Sequence, residues 1–496
     1  MLFNSVIFIV LFLPMALAGW FLLQKLENPA CAKAFLVGMS LWFYGYYNVS
    51  YLWILLASLG LNYGISLLLG GCQGIRGRRI LLGAGLLGNL GLLFYFKYFN
   101  FFVDNCNFFL HAGIELEKIA LPLGISFFTF QQISFLVERY RGSALHYPIL
   151  DYAFFISFFP QLVAGPIVLH DELLPQLQKR ENRYFSAAGF YDGFTLFILG
   201  LAKKVLLADS LAVLVNAEFC NIEALDSLSA WVVIFWYMME LYFDFSGYCD
   251  MARGIGRMFG FRLPENFNSP FKASSVREFW RRWHMTLSRF LSQYIYFPLG
   301  GIRRGKARQC LNLLAVFLVS GIWHGANWTF VVWGLMHGLA AVFETAFPKL
   351  RFRWEWMNRL ATAVFVTLSF SVFRSDSLEM AGLLWRKLFA EPGGAMLAGI
   401  CNTLVYPENR VFIKFLEMKA PELLNGFFLV CFALLSGVSL LLYRDVRRRN
   451  GSRRGGIRFW VHSVWRPCSS GRFCPCRRSA CFCISISDGL WGEKNP

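Results

Sequence analysis

Residues Ser320 to Gly338 read SGIWHGANWTFVVWGLMHG. One histidine, His324, sits in the middle of a stretch that otherwise reads as lipid-compatible, together with Asn327 and the tryptophans 323, 328 and 333. A polar side chain at membrane depth is costly and marks a functional site by default. The apolar run before it, Leu311 to Trp323, is too short to cross a bilayer by itself. Gly325 follows at once. The pattern predicts a break in the helix at His324, where backbone and imidazole face a cavity rather than lipid.

The rest of the chain supports a membrane setting. Of its 496 residues 56% are hydrophobic and only 16% charged, and the mean hydropathy is +0.48. Soluble domains keep roughly a quarter of their residues charged. Apolar runs lie near 2–23, 33–49, 51–70, 80–103, 119–136, 150–168, 187–202, 229–247, 311–323, 327–346, 359–373 and 425–443. They predict an all-α polytopic membrane protein with about eleven crossings plus re-entrant segments. The first run has no Lys or Arg before Lys25, so it reads as a transmembrane helix despite the signal-like Ala16-Leu17-Ala18.

The net charge of +18 does not read as nucleic-acid binding. From Arg444 onward, 12 Lys/Arg face 3 Asp/Glu, which is half of the excess. The remainder falls in short loops and follows the positive-inside pattern. Residues 1–443 read as one membrane domain and 444–496 as a basic, Cys-rich tail, disordered or frame-shifted. Eight of the 13 cysteines are scattered, and the five at the end include no C-x-x-C pair, so no metal site is expected.

Loops 24–32 and 74–79 are basic and 47–50 is uncharged, which puts the N-terminus outside. The segments around Arg139 and Lys179 both then belong in the cytoplasm. The run between them contains FFPQLVAGPI (158–167) and reads as re-entrant. YFPLGG (296–301) reads the same way. Broken segments thus cluster between about 119 and 338, where a site is to be sought.

Of seven histidines, His111, His146, His170 and His462 lie in polar loops or the tail. His337 is thirteen residues after His324, about 220° away around a helix, and reads as a packed or hydrogen-bonded residue. His284 lies in VREFWRRWHMTLSRF (276–290), where helical spacing groups Arg277, Arg281, His284 and Ser288 on one face. The segment reads as an amphipathic interfacial helix. Its cationic face suits either lipid headgroups or a phosphate-bearing donor such as a pantetheine thioester. Glu240 and Asp244 share a helix face, and Arg253 and Arg257 are the expected partners in a structural charge network to which Asp250 contributes.

No P-loop, GxSxG, HExxH or dinucleotide fingerprint occurs in a fitting context, and no Ser–His–Asp triad is visible. A histidine in a water-poor channel can take a proton from a hydroxyl that attacks an activated acyl carbon. Asn327 or the Trp328 N–H could orient the reactants or stabilise the oxyanion. From residues alone, an enzyme and a transporter with a proton-relaying histidine both remain open. So does a scaffold that recruits an acetyltransferase.

The motifs LPLGISFFTFQQISFLVERYRG (121–142), FFPQLVAGPI, FDFSGYCDMARGIGRMFGFRLPENFNSPF (243–271), REFWRRWHMTLSRFLSQYIYFPLGG (277–301) and SGIWHGANWTFVVWGLMHG are similar to the membrane-bound O-acyltransferase family, in particular its alginate-acetylating bacterial branch. The resemblance spans roughly residues 1 to 440. It implies a ring of helices around a thin central tunnel, with His324 as the essential histidine and His284 as the second polar position. It further implies acetyl-CoA or another pantetheine thioester as cytoplasmic donor, with no bound cofactor. The acetyl group would pass outward across a bacterial inner membrane to periplasmic O-acetyltransferase partners and an exported polysaccharide. Alginate is the expected polymer; cellulose, peptidoglycan and D-alanyl transfer to teichoic acid stay open. The chain departs from the pattern after about 447.

Overall fold

The computed structural model describes residues 1–390 except 27 and 118. The run at 425–443, the boundary at 443/444 and the tail cysteines lie outside the described residues. Every regular element among the described residues is helical.

Polar caps start many of the helices. After a π-turn at Phe8–Phe12, α1 (Leu13–Leu23) leads to α2 (Pro29–Gly45), whose Ala30 N–H donates to the Asn28 side chain at 2.9 Å. With proline at the first helical position this is a favoured start. Asn48 caps α3 (Val49–Gly71) in the same way. Next, α4 (Ile75–Leu93), a π-turn at Phe94–Tyr98 and α5 (Phe99–Leu110) make one 36-residue rod. α6 (Ile125–Arg141), α7 (Ile149–Ser157), α8 (Phe159–Leu162) and α9 (His170–Gln178) are shorter. α10 (Ala187–Ala202) runs through a π-turn at Lys203–Ala208 into α11 (Asp209–Phe219), and both flank the 32-residue α12 (Ser227–Met258). α13 (Val276–Trp280) and α14 (Met285–Leu291) precede α15 (Gly305–His324), α16 (Trp328–Ala346), α17 (Glu355–Arg374) and α18 (Leu378–Leu388).

Among the described residues five helical segments are long and apolar enough to cross a membrane: Val49–Gly71, Ile75–Leu110, Ser227–Met258, Trp328–Ala346 and Glu355–Arg374. Phe8–Leu23 is apolar but shorter. Two of the other apolar runs are shaped by local structure. The run at 119–136 folds as the 17-residue α6, which buries Gln131, Gln132 and Ser134 inside the protein. The run at 150–168 is cut after Ser157 and again after Leu162.

That interrupted segment has the irregular backbone expected of FFPQLVAGPI, and several of its polar groups are met by protein. Phe159 N–H donates to Ser40 Oγ, and Ile167 N–H to Thr286 Oγ1. Gln161 Nε2 donates to Phe155 O, and Arg289 donates to Ile167 O. Unpaired backbone in an apolar medium costs several kcal/mol per group, so such a break survives only with these partners. The YFPLGG turn is held likewise, by Asn312 Nδ2 donating to Gly301 O at 3.1 Å.

Two corrections concern helix boundaries. The run 311–323 is not a short helix, because GKARQC joins it and α15 reaches 20 residues. The expected break at His324 is present: Gly325 is extended, with φ −166°. The stretch 276–290 is not one amphipathic helix. It divides into α13 and α14 at His284, which has left-handed φ 43°. Arg277 and Arg281 are exposed, whereas His284 is buried, so the three do not share a face.

The α15–α16 hairpin that carries His324 closes on glycine. A Cβ on Gly321 would lie 2.4 Å from Phe330 O, and one on Gly334 2.5 Å from Phe317 O. Alanine at Gly334 is expected to wedge the hairpin open and cost about 1–3 kcal/mol. The check is the thermal unfolding temperature of the purified protein, which should fall for Gly334→Ala and stay near wild type for Gly382→Ala in open space.

Candidate active site

His324 ends α15, and its ring is caged by aromatic rings. Centroid distances are 4.8 Å to Trp323, 5.2 Å to Trp333 and 5.3 Å to Phe373. It is half-buried, and neither ring nitrogen has a hydrogen-bond partner among the described residues. The orientation is therefore set by packing, and both nitrogens are left for whatever enters. They face a cavity of about 260 Å³ that His284 also lines.

His284 is held differently. Its Nδ1 is 3.1 Å from Asn266 Oδ1, which also accepts from Thr286 N–H at 3.2 Å and from Thr286 Oγ1 at 2.9 Å. Thr286 Oγ1 in turn accepts from Ile167 N–H, so its own proton points at Asn266. Asn266 Nδ2 donates to Cys249 Sγ at 3.3 Å. With Oδ1 already facing donors, His284 must present Nδ1–H to it, and a neutral ring keeps Nε2 as its acceptor. The strained left-handed backbone of His284 turns the imidazole inward. Trp323 lies between the two histidines, its ring 6.2 Å from that of His284.

His337 does not reach this cavity. It is fully buried, accepts from Trp280 Nε1 at 3.2 Å and pairs Nε2 with Ser369 Oγ at 2.9 Å. Ser369 passes its proton to Val366 O, so the chain is satisfied. This is the hydrogen-bonded packing histidine expected from its spacing.

Asn327 and Trp328 lie away from the cavity lining. Asn327 caps α16 by accepting from Thr329 N–H at 3.1 Å, and donates to Asp376 O at 2.7 Å. Trp328 Nε1 donates to Asn105 Oδ1 at 3.0 Å, and its side chain is exposed. The acidic cluster also differs from expectation. Glu240 and Asp244 do not pair with Arg253 and Arg257, because thirteen residues along one helix separate each pair by about 20 Å. Asp244 instead meets Lys204 at 2.6 Å, and Arg257 meets Asp192 at 3.9 Å. Arg253 joins Glu265 at 2.9 Å and Asp250 at 3.5 Å, and Asp250 meets Lys203 at 2.6 Å. This network ties α12 to the α10–α11 junction and to the loop before Asn266.

On the other side of the 276–284 segment lies a second, larger cleft of about 1720 Å³. Arg277, Arg281, Lys349 and Arg351 line it, and none has an ion-pair partner among the described residues. Glu278 is engaged by Arg282 at 2.8 Å, and Glu344 accepts the Val276 and Arg277 N–H groups at the start of α13. The exposed Phe347, Leu350 and Phe352 add apolar wall. One segment therefore presents arginines to a basic cleft and a histidine to a small aromatic cavity.

Residues 91–374 match the model of the membrane-bound O-acyltransferase family. The chain belongs to that family. It is 41% identical over 412 residues to a peptidoglycan O-acetyltransferase of Helicobacter pylori, covering 77% of this chain and 78% of the relative. A probable alginate O-acetylase of Pseudomonas aeruginosa is 37% identical over 403 residues, 79% of this chain and 75% of the relative. A teichoic acid D-alanyltransferase of Bacillus subtilis is 28% identical over 262 residues, 50% of this chain and 65% of the relative. The chain is thus an acyltransferase of a membrane-bound family, and its apolar helices make it a multi-pass membrane protein.

Asn266, Thr286, Lys97, Lys349 and Arg351 were not singled out in the sequence. ENFNSP and PKLRFR are visible in it, but only the fold brings them beside His284 and the basic cleft. Asn266→Ala removes the common acceptor of His284 Nδ1–H and two Thr286 donors. About 1–3 kcal/mol per stranded group is expected to be lost, read as a clear drop in thermal unfolding temperature. Thr286→Ser keeps the hydroxyl and should stay close to wild type.

Proposed function

We propose that this protein transfers an acetyl group from a cytoplasmic thioester, acetyl-CoA or another pantetheine carrier, for O-acetylation of an exported polysaccharide, within a bacterial inner membrane. The observation that carries the reading is the cavity in which His324, with both nitrogens unpartnered, meets a His284 whose Nε2 is held as acceptor. In this reading the surrounding helices frame a thin tunnel.

The chemistry follows from these groups. A ring nitrogen of His324 takes the proton of the acceptor hydroxyl as its oxygen attacks the thioester carbonyl. The tetrahedral intermediate collapses with cleavage of the C–S bond. The imidazolium returns its proton to the thiolate, so ester and free thiol leave and His324 is neutral again. His284 offers a hydrogen-bond acceptor that fixes a second polar group of the reactants. The donor's phosphates fit the basic cleft, where Arg277, Arg281, Lys349 and Arg351 offer unengaged cations and forked donors. The apolar wall suits the pantetheine arm. A periplasmic O-acetyltransferase partner is proposed to receive the acetyl group on the outer side.

The polymer is proposed at the level of an exported cell-surface polysaccharide. Relatives named for peptidoglycan and for alginate cover similar shares of this chain, with the higher identity to the former.

His324→Ala is expected to abolish polymer O-acetylation at normal membrane abundance. Acetate released by mild alkali from purified peptidoglycan and from exopolysaccharide checks this and names the polymer; unchanged acetate in both fractions would remove His324 from the chemistry. Arg281→Glu, placed in the cleft and outside the cavity, is expected to raise KM for the thioester donor about tenfold with kcat nearly unchanged, the loss of one charge-assisted contact. Steady-state thiol release over a range of donor concentrations measures both.

A further inference from the structure

Lys97 is the only charged side chain, histidines aside, among the described residues that line the cavity of His324 and His284. It sits in the π-turn Phe94–Tyr98 that interrupts the long α4–α5 rod, a feature frequent at functional sites. Its ammonium donates to Trp323 O, the carbonyl just before His324, and to Ser126 Oγ at 3.4 Å. It also lies 5.7 Å from the centroid of the Trp323 ring. No carboxylate pairs with it among the described residues. An ammonium has three N–H donors, so two are engaged in the cavity wall and one remains. An unneutralised cation among aromatic rings costs more than the roughly 0.3–1 kcal/mol by which a helix C-terminus favours it, and a neutral donor can satisfy such a carbonyl. Tyr98 OH does that for the neighbouring Ile322 O at 2.9 Å.

We propose that Lys97 is a catalytic residue, whose third N–H and positive charge stabilise the oxygen that becomes negative when the acceptor attacks the thioester carbonyl. This deepens the acyl-transfer reading and rests on it. The positions first expected to supply this oxyanion donor, Asn327 and Trp328, are engaged in the helix cap and with Asn105. Lys97 is already fixed beside His324 and needs no rearrangement to meet the developing charge. During attack the carbonyl π electrons move onto oxygen and are held by Lys97. On collapse they re-form the carbonyl, the C–S bond breaks, and Lys97 keeps its proton throughout.

The test measures thiol release from acetyl-CoA by purified protein in detergent, with water as acceptor. Four variants are compared with wild type: Lys97→Met, Lys97→Gln, Lys97→Arg and Tyr98→Phe. Loss of one oxyanion donor costs about 10²–10³ in kcat. Lys97→Met is expected to lose about 100-fold in kcat, with donor KM within about threefold, because the group acts only in the transition state. Lys97→Gln, which can still cap Trp323 O but has no charge, should lose nearly as much, and it decides the matter if the methionine variant does not fold. Lys97→Arg should recover at least tenfold over methionine. Tyr98→Phe, which removes only a cap, should stay within about threefold of wild type. Full kcat in folded Lys97→Gln, or a loss no larger than that of Tyr98→Phe, would overturn the role of Lys97 and leave acyl transfer standing. Absence of thiol release from wild-type protein would instead overturn the acyl-transfer reading, and this assignment with it.

Discussion

A helix that ends among apolar side chains must find donors for its last carbonyls inside the protein, because such a surrounding offers none. α15 ends in this way at His324. Tyr98 and Lys97, side by side on a π-turn of a distant helix, donate to Ile322 O and Trp323 O. Beyond the break, Asn327 caps the first turn of α16. These contacts let the chain stop, turn through Gly325 and leave an imidazole at the small aromatic cavity. Gly321 and Gly334 let the two helices close tightly enough to hold that turn. Without these donors the break would be too costly to keep, and His324 would lie along a continuous helix.

A second break follows the same rule with different chemistry. α13 and α14 are separated at His284, whose left-handed backbone is held by Met285 N–H donating to Asn266 O and by the Asn266 side chain. Asn266 Oδ1 gathers three donors and so sets the proton position on His284. One histidine is thus oriented by hydrogen bonds and the other by aromatic packing. The first is fixed as to tautomer, whereas neither ring nitrogen of the second is engaged by the protein among the described residues. The same short segment turns Arg277 and Arg281 outward to the basic cleft, so the two polar surfaces of the protein are set back to back.

Much of this was legible in the residues. A histidine inside SGIWHGANW marks a break because polar groups and glycine are unfavourable in an apolar helix, and the helix does end there. The proline of FFPQLVAGPI likewise announced an interrupted segment. The period of VREFWRRWHMTLSRF misled, since helical spacing carries no information about a single left-handed residue. The pairing of Glu240 and Asp244 with Arg253 and Arg257 failed for a similar reason. Thirteen residues along one helix is about 20 Å in space, and the real partners of Asp244, Arg253 and Arg257, which are Lys204, Glu265 and Asp192, come from other elements.

By itself the sequence determined the all-helical membrane class, the break at His324 and the family motifs, because these depend on local polarity and glycine. The tertiary structure alone decided which polar groups share a cavity. Lys97, Asn266 and Thr286 lie far from His324 along the chain, and only packing brings them to the ends of broken helices. There the backbone groups freed at the breaks take side-chain partners, because leaving them unpaired in an apolar surrounding is costly. The requirement to satisfy each broken backbone from within the protein therefore built the site.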